Sequence, residues 1–318
     1  MSNKPYLRVA VGVILKGKQV LLAQRPEGKP WAGWWEFPGG KIEKDESIHQ
    51  ALARELKEEL GISIDQSYPW VSFVYEYPTT IVELHFRKTY AWQGDIKGLE
   101  KQAFAWTTPQ QAHELGDLLP ASLTPLKWLQ LPDRYAITHF QQVENEAVYW
   151  EKLNRLIASG IQLFQFREPL WTDGIGSSSL HHLFEKTRQK CHEHGVKLLI
   201  NSRHPRSWWA LADGVQLRAE DAVQLDERPI PEDKLLGISC HTLADILYAH
   251  QLKADFIILG HVGATASHPN QAPLGWEQFS ALAIEAGRPV FAIGGQTSQT
   301  LAQAKTYGAH GVAILSGE

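Results

Sequence analysis

From Tyr135 onward, short apolar runs of strand length alternate with amphipathic helical ones, and no other feature of the sequence limits the fold as severely. The strand-like runs cover residues 135–138, 161–166, 197–200, 214–217, 236–239, 256–259, 290–293 and 311–314. Helical patterns at 146–159, 180–194, 243–251, 276–286 and 300–307 fall between most of them. Such alternation demands a parallel sheet, and eight repeats predict a TIM-type (β/α)8 barrel. The last run ends close to Glu318, so a barrel lacking its last helix is expected. Its first and seventh helices would then leave apolar surface open, to be covered by the rest of the chain or by a second copy in a homodimer.

The first third has a different rhythm. At roughly 150 residues per domain, 318 residues suggest two domains. Pro132-Asp133 punctuates the chain where the rhythm changes. The expected architecture is an α/β chain with domains at 1–131 and 134–318. Apolar residues make up 43% and charged residues 21%, as in ordinary globular proteins. A net charge of −4 argues against binding a nucleic-acid polymer but not against single nucleotides. Cys191 and Cys240 are too few for a disulfide scaffold or a zinc site and are expected to be buried thiols in a cytoplasmic protein. No run approaches the roughly 20 apolar residues that span a bilayer, so no membrane partner is expected.

Residues 47–60 are helical in period, with Asp45 the expected N-cap and Gly61 the stop. Strands are expected at 7–15, 19–24, 71–77, 81–91 and 103–106, and a short helix at 123–131. Along the long helix Ile48, Leu52, Leu56 and Leu60 form the apolar stripe, while Glu55, Glu58 and Glu59 share a second stripe. At ~100° per residue the two stripes lie roughly 80° apart, so the carboxylates crowd the edge of the buried face. Like charges at this spacing destabilise a helix unless a cation compensates them. Hard oxygen donors of this kind suit Mg2+ or Mn2+, and Gly39-Gly40 lets backbone approach a ligand closely. The plainer reading of the stripe is a solvated acidic surface.

The whole spacing reads Gly40, five residues, Glu46, seven residues, Arg54-Glu55-Leu56, one residue, Glu58-Glu59, one residue, Gly61-Ile62. It resembles the Nudix hydrolases at every fixed position of their motif, and Trp35-Glu36-Phe37-Pro38-Gly39-Gly40-Lys41 is similar to the MutT type. The resemblance covers roughly residues 5–130. It implies an α/β/α sandwich that hydrolyses a nucleoside triphosphate to monophosphate and pyrophosphate with Mg2+ or Mn2+. By this likeness the Gly39 carbonyl, Glu55, Glu58, Glu59 and Glu100 would hold metal, with Glu100 binding it or activating water. Arg54 would orient a catalytic carboxylate, and Glu46 would support the helix start. Arg25, Phe37 and Ser122 match nucleotide-contacting positions. The expected substrate is 8-oxo-dGTP, although Ser122 stands where MutT-type enzymes carry Asn or Asp, and a hydroxyl lacks the bidentate pattern. Trp34 and Trp35, among twelve tryptophans, either stack a base or pack the core.

The second domain carries Gln165-Phe166-Arg167-Glu168, Ile200-Asn201, Glu220-Asp221, Gly237-Ile238-Ser239, Gly260-His261-Val262, Gly294-Gly295 and Ser316-Gly317 in order. This series resembles the thiamine phosphate synthase/TenI family across roughly 135–318. The resemblance implies a ligand or phosphate site built from Gln165, Arg167, Asn201, Asp221, Ser239, His261, Gly294, Gly295 and Ser316. Pro169, Ser202 and His268 stand where synthases carry Lys, the metal-ligating Asp and Lys, so thiamine phosphate synthesis is not expected. His261 matches the acid/base histidine of TenI, or else it is a strand-end histidine bonded to backbone. Gly294-Gly295 either cradles phosphate or only makes a tight turn. The alternatives to nucleotide sanitation are hydrolysis of thiamine-related diphosphates and a barrel that tautomerises or senses a phosphorylated thiazole.

Overall fold

A computed structural model describes residues 4–138, 146–265 and 271–315. The chain divides into two compact units, Met1–Leu131 and Pro132–Glu318.

The first unit is built on a mixed sheet. Strands β1 (Tyr6–Lys16), β2 (Gln19–Gln24), β3 (Trp35–Glu36) and β4 (Gly39–Lys41) precede helix α1 (Ile48–Leu60). Strands β5 (Tyr68–Glu76), β6 (Ile81–Thr89) and β7 (Phe104–Thr107) and helix α2 (Pro120–Trp128) follow. The sheet order is β3-β2-β1-β6-β5, with β4 on β1 and β7 on β2, and β1 runs parallel to β6. Two apolar clusters flank it. Leu52, Leu56 and Leu60 of α1 pack on Ala10 and Ile14, while Phe37, Trp70, Phe86 and Trp128 fill the other face.

Helix α1 starts differently from the expectation. Asp45 lies in a turn at φ 66° and is not the cap. Ser47 is: its hydroxyl accepts from the Gln50 N–H (3.2 Å) while Gln50 Oε1 accepts from the Ser47 N–H (2.9 Å). This reciprocal box satisfies two donors that a single Asp cap would leave to water, a gain of about 1 kcal/mol. Gly61, at φ 69°, ends the helix as expected. Helix α2 begins at Pro120, earlier than expected, because proline is favoured in the first turn.

The second unit is a closed parallel barrel. Its strands are β8 (Arg134–Ile137), β9 (Leu163–Phe166), β10 (Lys197–Asn201), β11 (Gly214–Leu217), β12 (Leu235–Cys240), β13 (Phe256–Gly260), β14 (Val290–Ile293) and β15 (Gly311–Leu315). They close in the order β10-β11-β12-β13-β14-β15-β8-β9. Around them lie α3 (Glu146–Ala158), α4 (Ser178–Glu193), α5 (Ala219–Ala222), α6 (Leu243–Gln251), α7 (Gly275–Glu285) and α8 (Leu301–Thr306). Strand β15 is the last described element. Ser316 and His268 lie outside the described residues.

Tyr135, Phe256 and Phe291 meet inside the barrel with ring centroids 5.3–5.8 Å apart. Cys191 and Cys240 are buried, and burial raises both thiols, that of Cys191 to about 12. Among the histidines on and just after α4, His182, His192 and His194 are exposed, whereas His181 is half-buried against the Trp208 ring (4.7 Å).

Another histidine is a buried strut. His204 is 2% exposed, accepts from the Glu168 N–H through Nε2 (3.1 Å) and stacks on Trp208. Burial, helped by Arg167 and Arg203, lowers its pKa from 6.5 to about 4. The unfolded chain therefore takes the proton first as pH falls. His204's contribution is full above pH 6.5, and about 3 kcal/mol of it is lost by pH 4. In His204→Gln the unfolding transition of this unit should lose less stability between pH 7 and 4.5 than in the wild type, as calorimetry of the full chain at stepped pH would show; identical pH slopes would refute this.

Candidate active site

In the first unit two glycines bring the sheet against α1. Gly40 pairs with Ala10 and Gly39 with Val11. A Cβ on Gly39 would lie 2.1 Å from the Ala10 carbonyl oxygen, and one on Gly40 would lie 2.1 Å from the Glu55 carboxyl carbon. Hydrogen at Gly39 lets β4 close on the β1 backbone, and hydrogen at Gly40 leaves room for the Glu55 carboxylate over β4.

Arg54 organises those carboxylates. Its Nε and Nη2 grip Glu46 at 2.8 and 3.1 Å, while Nη1 donates to Glu55 (2.8 Å) and Glu58 (3.2 Å). Nη2 also donates to the Lys41 carbonyl (3.0 Å). Glu46 is held further by the Glu43 N–H (3.1 Å), and its pKa is lowered by the Arg54 hydrogen bond. Glu59 is apart from this fork. Its Oε2 accepts from the Gly39 N–H (3.2 Å), and burial, then repulsion from Glu55, Glu36 and Glu100, pushes its pKa up to about 7.

Glu100 approaches through a loop tied to the end of α1. The Leu99 N–H and Gln102 Nε2 both donate to the Glu59 carbonyl, at 2.9 and 3.0 Å. The Glu100 carboxylate itself binds Lys29 (2.8 Å). The expected ligands thus share one neighbourhood. Yet among the described residues no three acidic, His or Cys side chains stand in a ready metal-holding group. The reason is visible: Arg54, the Gly39 N–H and Lys29 each hold one or two of them. The donor set nevertheless fits a hard divalent cation, because Glu59 is destabilised as an anion by its neighbours and a cation relieves that repulsion.

The nucleotide-contacting expectations divide. Arg25 forms a two-oxygen pair with Glu36 (2.7 and 2.8 Å) beside the site. Phe37 is instead a core residue, 4% exposed and edge-on to Phe86. Ser122, 4% exposed, is turned into the protein on α2, and Trp35 is buried as well. Trp34 stays half-exposed and meets Trp31 at 4.7 Å; Trp31 also faces Tyr77 at 6.2 Å. Tyr77, raised to about 12 by burial, is hydrogen-bonded to the Ala121 backbone and lies within the fields of Glu36 and Arg25. Trp31 and Tyr77 are aromatic walls that the sequence pattern did not single out, because they sit far apart in the chain.

In the second unit a cavity of about 460 Å3 opens at the C-terminal ends of the barrel strands. Gln165, Arg167, Asn201 and Ser239 line it, as do His261, Gly294 and Gly295. Beneath the mouth Asn201 donates to Gln165 (2.7 Å), and Gln165 to the Tyr135 hydroxyl (3.2 Å). His261 lines the cavity, and its Nε2–H donates to the Gln271 carbonyl (3.2 Å). Asp221 does not line the cavity; Arg218 and Ser202 hold it outside. Arg203, Arg218 and His241 do line it and were not anticipated. Each lies within two residues of a recognised tag (Asn201, Glu220 and Ser239), which is the signal that could have revealed them.

Two family models match this chain, one described as NUDIX domain over residues 6–129 and one as thiamine monophosphate synthase over residues 134–317. The chain belongs to both families. Its Nudix domain is 39% identical over 121 residues to a CTP pyrophosphohydrolase of Escherichia coli (strain K12), covering 38% of this chain and 89% of that protein. It is also 39% identical over 121 residues to an 8-oxo-dGTP diphosphatase of Haemophilus influenzae (strain ATCC 51907 / DSM 11121 / KW20 / Rd), covering 38% of this chain and 88% of that one. The barrel is 33% identical over 167 residues to a thiamine-phosphate synthase of Synechococcus sp. (strain WH7803). That match covers 52% of this chain, which spans about half of that relative (46%). The first unit is a Nudix hydrolase domain, and the second is a thiamine phosphate synthase-type barrel.

The Gly40–Glu55 approach makes a sharp expectation for the Nudix domain. Gly40→Ala would collide only with the end of a flexible side chain. It should leave the melting temperature within ~2 °C while displacing Glu55 and lowering kcat for triphosphate hydrolysis at least ~100-fold. Full activity in a folded Gly40→Ala protein would refute the geometry.

Proposed function

We propose that the Nudix domain is a Mg2+-dependent (or Mn2+-dependent) nucleoside triphosphate pyrophosphohydrolase. The observation that carries this reading is the Arg54 fork beside Glu59 at the Gly39-Gly40 turn. Glu55, Glu58 and Glu59, with the Gly39 carbonyl and Glu100, would hold the cation. When bound it supplies phosphoryl polarisation and a lowered pKa for water. Arg54 keeps Glu55 and Glu58 oriented, and Glu46 fixes Arg54. Attack of water on the β-phosphorus breaks its bond to the oxygen bridging the α-phosphorus, releasing nucleoside monophosphate and pyrophosphate. A carboxylate of the cluster accepts the water proton.

The base enters against Trp31, Trp34 and Tyr77, where every base offers a face to stack. Glu36 stands at the same place and can accept from the exocyclic amino group of cytosine or guanine, with Arg25 steadying it. Ser122 is buried on α2, and its hydroxyl lacks the bidentate pattern of the Asn or Asp that MutT-type enzymes carry there. The leading substrate class is therefore an amino-bearing purine or pyrimidine triphosphate. 8-Oxo-dGTP is the first candidate, to be compared with cytosine nucleotides. Among the described residues no helix is long and apolar enough to cross a membrane.

A second reading is favoured by the barrel cavity, which pairs His261 and Gly294-Gly295 with an arginine-lined rim. It assigns the chain to thiamine-related diphosphates, with the barrel tautomerising or sensing a phosphorylated thiazole. Two families joined in one chain raise the effective concentration of each domain's ligand at the other.

A panel of 8-oxo-dGTP, dGTP, dCTP, CTP and thiamine diphosphate with Mg2+ separates the readings by kcat/KM. Glu58→Gln should lower hydrolysis of the preferred substrate at least ~1,000-fold with the fold intact. Trp31→Ala should raise KM about tenfold, a loss of about 1.4 kcal/mol, and leave kcat nearly unchanged. Unchanged turnover in a folded Glu58→Gln protein would overturn the site assignment.

A further inference from the structure

The barrel mouth lacks the pair of carboxylates that would hold a divalent cation and is lined by three arginines. Resemblance to the synthases implies a metal held by carboxylates at the positions of Ser202 and Asp221, but Ser202 carries none and Asp221 does not line the cavity. Asp221 is gripped by Arg218 through Nε and Nη2, both at 2.7 Å, and Ser202 donates to the same carboxylate. Ser202 is itself fixed by the Arg218 N–H (3.0 Å). Asn201 Oδ1 accepts from the Arg203 N–H (3.1 Å), and its amide nitrogen is committed to Gln165. The residues present do not fit the metal.

Arg167, Arg203 and Arg218 line the cavity with one carboxylate, that of Glu220, which pairs with Arg218. Arg167 is half-buried, and among the described residues no carboxylate pairs with its guanidinium; Arg203 is exposed and likewise without a carboxylate partner. Arg167 is shifted down by burial and by the charges of Arg203 and Arg218. Like charges gathered at one rim are costly unless an anion joins them. The three arginines follow β9, β10 and β11, whereas Gly294-Gly295 follows β14, on the far side of the ring of strands. Ile258 and Ile293 lie on the wall and leave room for an apolar body.

The geometry points to a metal-independent phosphate site at the barrel mouth, in which Arg218 has taken the neutralising place of a divalent cation and Arg167 and Arg203 bind a phosphoryl anion. Guanidinium forks match phosphate oxygens two at a time and stay charged at any working pH. The ligand class is a small phosphorylated or pyrophosphorylated molecule, bound without Mg2+. This deepens the reading of the barrel as a phosphate-ligand site and does not depend on the hydrolase reading.

The test is calorimetric titration of the full chain with inorganic pyrophosphate, and separately with inorganic phosphate, in excess EDTA. EDTA silences the Nudix site, and Glu58→Gln serves as the control for it. Wild type and Glu58→Gln should bind pyrophosphate, phosphate or both equally well in EDTA. Arg203→Gln and Arg167→Gln should each weaken that binding at least tenfold, and Arg203→Lys should retain part of it. Arg203 is exposed, so its variants test the site even where the Arg167 variant fails to fold. Binding that appears only with Mg2+ and persists in Glu58→Gln would overturn the proposal. So would binding in EDTA that the arginine substitutions leave unchanged, or no binding of either anion. Failure of the hydrolase reading would show instead as an inactive wild type in the substrate panel, with these titrations unaffected.

Discussion

Uncompensated carboxylates on one helix are the constraint around which the first unit is arranged. Glu55, Glu58 and Glu59 repel one another along α1, and Glu59 is pushed to about 7 as a result of burial and that repulsion. The protein meets the repulsion in two ways. Arg54 reaches three glutamates with one guanidinium, and the Gly39 N–H steadies the fourth. Gly40 leaves room for the Glu55 carboxylate over β4, and Gly39 lets β4 close on the β1 backbone. The capping box at Ser47 and the αL stop at Gly61 then set the rotation and length of α1, so that its apolar stripe points into the sheet and its acidic stripe lies over β4.

The second unit handles a carboxylate in the opposite manner. Asp221 has both oxygens engaged by the Nε and Nη2 of Arg218, and a serine supplies a further donor. Arg218 also pairs with Glu220 through Nη1. In the first unit one arginine is divided among three acids with one or two bonds to each; in the second the arginine closes on both oxygens of Asp221 and still reaches a second acid. The Arg218–Asp221 pair is half-exposed, so it is a weak source of stability. Its consequence is chemical: the Asp221 carboxylate is neutralised within the chain.

Much of the fold was legible because its signals are local. All eight barrel strands fall where the apolar runs place them, since the β/α alternation is written in stretches shorter than ten residues. The Nudix motif was legible for the same reason: Arg54, Glu55, Glu58 and Glu59 sit on two turns of one helix. The failures involve direction or distance. Asp45 is expected as the cap from residue type, which cannot show that Gln50 completes a box with Ser47. Trp31 and Tyr77, and Arg203 and Arg218, became neighbours only through tertiary closure.

The two sites also differ in how ready they are. The barrel mouth already presents its arginines and Gly-rich turn around a cavity of about 460 Å3, with an internal network from Asn201 through Gln165 to Tyr135 fixing the floor. The Nudix carboxylates are spoken for by Arg54, Gly39 and Lys29, so a cation entering there must compete with hydrogen bonds already made. Arg54 can give up Glu58, which is the longer and more exposed of its bonds, and still keep its grip on Glu46 and Glu55. Glu58 is thereby the carboxylate most cheaply released toward a ligand, while Glu46 remains the anchor that keeps Arg54 in place. An arginine anchored on Glu46 and only loosely bonded to Glu58 can hold its place while that carboxylate turns away.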